Sequence, residues 1–169
     1  ANQVLIQFVH VTAHAMDGFA FAAEALVGQA MGARAAARLR RAAILTSIWG
    51  LIICIVMAVL FLTVGGAFID LMTTAPGVRE AARDYLPWMV LAPLAGWASW
   101  MFDGIFIGAT RTRDMRNMMA LSFAGYVVLV LLLMPPFGNH GLWAALIGMF
   151  LLRGVTLAFR YPALERAAA

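Results

Sequence analysis

The chain has 169 residues, of which 64% are hydrophobic and only 12% charged, and its mean hydropathy is +0.89. Soluble domains carry about 45–50% apolar and about 25% charged residues, so a soluble globular domain is excluded and a membrane protein is indicated. The net charge of +4 comes from twelve basic residues, all arginine. They gather in short stretches between apolar runs, a pattern that orients membrane proteins, and no nucleic acid is expected as a partner.

Crossing a bilayer core of about 30 Å takes roughly 20 apolar helical residues, and five segments meet that requirement. The predicted fold class is therefore an all-α, polytopic transmembrane bundle. The first span covers about 3–33 and is interrupted by Asp17 and Glu24. The second, about 42–69, has no charge before Asp70 and holds the single cysteine, Cys54, so no intrachain disulfide can form. The third, about 85–110, carries Asp103 and contains Pro93, which is expected to kink or loosen it. The fourth covers about 117–137, and the fifth, about 141–160, carries Arg153. The chain opens on Ala-Asn-Gln already inside an apolar run, as a piece of a longer protein would.

The breaks fix the expected orientation. "GARAAARLRR" holds Arg34, Arg38, Arg40 and Arg41; "RTRDMRN" holds Arg111, Arg113 and Arg116; Arg160 and Arg166 follow the last span. These nine lie on one side. Only Arg79 and Arg83, in "TTAPGVREAARDYL", lie on the other, and "PPFGNHG" has none. By the positive-inside rule the nine are cytoplasmic, as is the C-terminus. "TTAPGVREAARDYL" is expected to form a short surface helix, capped by Thr74, with Glu80 and Arg83 paired at i,i+3. Trp88 and Trp143 are expected in the outer aromatic belt. Arg153 is expected to snorkel toward the cytoplasmic interface.

The first span raises the functional question. At 100° per residue, Gln3, Gln7, His10, His14, Asp17, Glu24 and Gly28 fall on one arc of roughly 100°. Such a stripe suits a cavity shielded from lipid, with Asp17 near the bilayer midplane. A charge there costs about 2.5–3.5 kcal/mol. Asp17 and Glu24 are thus candidate ion-exchange or substrate-contact acids, with His10 and His14 as relay or tuning groups. The competing reading is helix-packing glue, with the acids neutral or paired. A zinc face formed by His10, His14 and Asp17 lacks further His or Cys ligands to complete it. Asp103 is either a second proton or cation group, or the fixed partner of Arg153 or of a backbone donor. The glycines Gly18, Gly28, Gly32, Gly104, Gly108, Gly148 and Gly154 are expected at close helix contacts. Asp17 and Asp103 as an intramembrane enzymatic acid pair have no accompanying nucleophile–base motif, so no enzyme is expected.

Three stretches carry a family resemblance: "DGFAFAAEALVGQAMGAR" (17–34), "DGIFIGATRTRDMRNMM" (103–119) and "GNHGLWAALIGMFLLRG" (138–154). Together they resemble the C-terminal half of a multidrug and toxic compound extrusion (MATE) transporter of the DinF-like branch. The resemblance implies twelve helices in two six-helix lobes, of which the five spans match helices 8 to 12. The N-terminal lobe and helix 7 would be the missing partners. It further implies a multi-pass protein of the bacterial inner membrane that exports cationic or amphipathic small molecules by antiport with protons or sodium, with no cofactor. A flippase for a lipid-linked precursor, built on the same fold by distant relatives, is the rival. Asp103 matches the helix 10 acid of sodium-coupled relatives. His10 and His14 belong to no family motif and rest on the stripe alone.

Overall fold

The computed structural model describes residues 1–168, and among them the chain is five helices with no strand. They are α1 (Asn2–Gly32), α2 (Ala36–Met72), α3 (Pro76–Gly108), α4 (Thr112–Phe137) and α5 (Asn139–Arg166). All five are long and apolar enough to cross a membrane. Even α4, with 26 residues, is about 39 Å long at 1.5 Å per residue, more than a bilayer core of about 30 Å.

The helices reach well beyond the apolar runs, because arginine is a good helix former and does not end a helix. Arg38, Arg40 and Arg41 lie in the first turns of α2, and Arg113 and Arg116 in those of α4. The connections shrink to residues 33–35, 73–75, 109–111 and Gly138 alone, so neighbours in sequence run antiparallel. Gly138 sits at φ +55°, a conformation that glycine adopts at little cost. At the arginine-rich end, α1 and α3 stop in the same way. Arg34 and Thr110 take positive φ, and the next residues, Ala35 and Arg111, donate back to Ala30 O and Phe106 O at 3.0 and 2.8 Å. This is the Schellman closure, here made without glycine.

The separate surface helix expected over 74–86 does not exist. Pro76 starts α3, which runs unbroken through Pro87 and Pro93. Thr74 is not its cap; Ala75 occupies that place, and the Ala75 N–H reaches Thr73 Oγ1 at 3.4 Å. Glu80 does not hold Arg83. Arg83 bonds Asp70 at 2.6 Å, while Arg79 donates to Thr73 O and Asp70 O, both at 2.7 Å. Arg79 thus satisfies C-terminal carbonyls of α2, and Arg83, through the Asp70 carboxylate, ties that end to α3.

Helix α3 is central: α1, α2 and α5 pack on it, while α4 packs chiefly on α5. Two apolar cores result. Met16, Val27, Leu39, Met101 and Phe106 fill the arginine-rich half. Leu5, Phe8, Ile69, Met89 and Trp143 fill the other. Trp143 is therefore not an interfacial residue; at 4% exposure it is core, placed there because α5 turns it inward. The closest helix approach is α1 on α3. A Cβ on Gly104 would strike the backbone of Ala20, and one on Gly108 that of Glu24. The Gly104-x-x-x-Gly108 spacing lets the two backbones touch, as small residues do in membranes. Gly28 and Gly154 are also in close contact, whereas Gly18 and Gly32 face open space.

Candidate functional site: the polar face of α1

The buried residues of α1 are Leu5, Phe8, Val9, Thr12, Met16, Ala23, Val27 and Ala30. On the helical wheel they centre about 150° from the polar arc. The bundle therefore takes the apolar face of α1 and leaves the polar stripe turned outward. His10, His14 and Asp17 are exposed, and Glu24 is half-buried. Thr12 is the polar exception on the packed face; its hydroxyl donates to Phe8 O at 2.9 Å.

The stripe is not internally bonded as a relay. His14 Nδ1 lies 2.6 Å from His10 O. A carbonyl only accepts, so Nδ1 carries a proton in this bond. That bond also fixes the ring along the helix. Among the described residues no ion pair or side-chain hydrogen bond reaches Asp17 or Glu24, and no group of three or more His, Cys, Asp or Glu is arranged to hold a metal. The backbone of Glu24 touches Gly108, so its side chain springs from the α1–α3 seam. Unpaired carboxylates facing hydrocarbon would cost about 2.5–3.5 kcal/mol each. This face is therefore suited to a polar cavity.

Asp103 is differently placed. Arg153 Nη2 bonds its Oδ1 at 2.7 Å, linking α3 to α5, and the two side chains are only 20% and 16% exposed. Arg153 does not snorkel; a carboxylate in reach satisfies its charge more cheaply than a route to the interface. Gly104, one residue on, is what α3 presents to α1. Asp103 thus points to α5 and does not join the α1 stripe.

Sequence reasoning missed the acids at the arginine-rich end. Asp114, 8% exposed, receives Arg160 Nη2 at 2.5 Å and Nε at 3.0 Å, with Arg111 at 3.5 Å. Arg111 also donates to Ala163 O at 3.3 Å. Glu165 holds Arg40 at 2.8 Å. The Arg111–Asp114 spacing of i,i+3 was a readable signal; the partner 46 residues away was not.

Comparison with known proteins agrees with this architecture. Residues 1–135 match the MatE family model. DNA damage-inducible protein F of Escherichia coli (strain K12) is 44% identical over 160 residues, covering 93% of this chain and 34% of that protein. The chain thus spans about a third of the length of the curated relative it matches. No solved structure gives a significant match. With five membrane-spanning helices and a family match over most of its length, the chain is a multi-pass membrane protein that belongs to the MatE family.

Proposed function

We propose that the chain is the five-helix part of the C-terminal lobe of a secondary transporter that exports cationic or amphipathic small molecules. Entry of protons or sodium would drive export, and no cofactor or enzymatic step is needed. One observation carries the reading: α1 turns Asp17 away from its own bundle and leaves both Asp17 and Glu24 unpaired among the described residues, on a face that a second lobe and helix 7 would complete. Asp17 is the ion-exchange acid, because protonation is the least costly way to remove a midplane charge. Glu24 contacts cationic substrate, and His10 and His14 tune the site. Asp103 takes a secondary place, since any ion reaching it competes with Arg153. The arginine-rich end, and with it the C-terminus, faces the cytoplasm of the bacterial inner membrane.

The test is Asp17→Asn in the complete protein. Expression should stay near normal while gradient-driven efflux falls by roughly tenfold or more, the scale of losing about 1.4 kcal/mol of coupling. Wild-type efflux would end the assignment. Orientation is checked separately with cysteines at Ala35, Thr112 and Gly77. An impermeant thiol reagent added outside should label only the last.

A further inference from the structure

The α1 stripe is not alone among the faces the bundle leaves open. On α3 sits a second, where α2 and α5 diverge. They meet at the arginine-rich end through Arg40 and Glu165 and then part, exposing α3 between them as a floor. Three hollows follow one another along this groove. The first, about 520 Å³, is lined by Ala36, Arg40, Arg41, Ile44 and Glu165. The second, about 370 Å³, shares Arg40 and Ile44 with it and adds Ser47, Trp97 and Tyr161. The third, about 340 Å³, shares Ser47 and Trp97 and ends against Gly154, Val155 and Ala158.

We propose that this groove holds one acyl chain of an anionic phospholipid of the arginine-side leaflet, with its phosphate at Arg41 and the start of α2. The groove below its mouth is apolar. Trp97 spends its indole N–H on Ser47 O at 2.8 Å, so its ring offers only carbon. From Arg40 to Leu51, which lines the second hollow, is about 16 Å along α2, close to one leaflet of a core about 30 Å thick. The flanking rim is a bare apolar surface: Ile44 and Ile48 are each half exposed.

Charge selects the headgroup. Glu165 neutralises Arg40, which leaves the exposed Arg41 unpaired among the described residues. Helix α2 begins at the mouth with no side-chain cap, so its first N–H groups add positive potential toward a phosphate. A zwitterionic lipid would fill the apolar part equally well and lose only the net charge attraction of the mouth.

The experiment places a photoreactive benzophenone side chain at Ala158, exposed on the groove rim. The complete protein is reconstituted in vesicles of phosphatidylglycerol or phosphatidylcholine and the adducts are weighed by mass spectrometry. A phospholipid adduct is expected, with phosphatidylglycerol favoured in a mixed vesicle. Arg41→Gln leaves the Arg40–Glu165 pair intact and should lower the phosphatidylglycerol preference roughly fivefold. A second variant, Ala158→Phe, should fill the groove and lower retention of both lipids in native mass spectrometry. An adduct to another segment of the protein would overturn the proposal, as would equal capture of the two lipids unchanged by Arg41→Gln.

Discussion

Two helices of this bundle carry an aspartate at membrane depth, and the structure treats them in opposite ways. On α3, Asp103 is turned inward and held by Arg153 across 2.7 Å. On α1, Asp17 is turned outward with no partner among the described residues. Each follows an apolar run and precedes a glycine, and in sequence they look like echoes. The comparison teaches that a buried acid announces a cost, while its role depends on how the cost is met. Met by a guanidinium, the charge becomes a tether. Left unmet, it has value only where something mobile can meet it.

The largest expected effect breaks the tether. Arg153→Met strands Asp103 in a low-dielectric seam, and removing one partner of a buried pair costs about 3–5 kcal/mol. Yield of folded protein should fall sharply, and adding Asp103→Leu should restore much of it. Thermal melting of the three variants in detergent decides the matter; equal melting temperatures would mean the pair holds nothing. Asp17→Asn should show the converse pattern, with stability kept and transport lost.

A smaller effect sharpens the comparison at Glu24. For a half-exposed carboxylate, an ion pair with substrate is worth about 0.5–1 kcal/mol. Glu24→Gln should therefore weaken cationic substrates roughly two- to fivefold and leave neutral ones unchanged. A common loss for all substrates, together with lower yield, would return Glu24 to packing. The smallest effect is at the histidines. Imidazole is the side chain that titrates near physiological pH, and His14 sits one turn from Asp17. Replacing His10 and His14 with glutamine should shift the pH profile of efflux while binding persists. Superimposable profiles would leave the pair as helix-bonding groups, for which the His14–His10 carbonyl bond is already sufficient.

The five spans, the all-helical class and the asymmetry of arginine were legible because each is a local property, repeated along the chain. So was the stripe, since helical periodicity alone separates Asp17 from Met16. The close contacts at Gly104 and Gly108 followed from residue size. Pairing across the bundle was legible only in part. Asp103 with Arg153 stood among the open alternatives, because both are charges inside apolar spans, whereas nothing near Asp114 signals Arg160. Helix ends escaped as well: arginines read as loop continue α2 and α4, and α3 extends back to Pro76 with Arg79 closing the end of α2 and Arg83 holding Asp70. Trp143 was misplaced because an aromatic at a span's end suits interface and core equally until its neighbours are known.

The contact of Gly104 with Ala20 and of Gly108 with Glu24 has a mechanical meaning. Two helices whose backbones touch at successive turns have no side chains between them to act as bearings, so they cannot slide or roll independently. They form a single strut. Any tilt that opens or closes the face bearing Asp17 must carry α3 with it, and through Arg153 must pull on α5. The glycines that would elsewhere be read as hinges therefore remove a degree of freedom here.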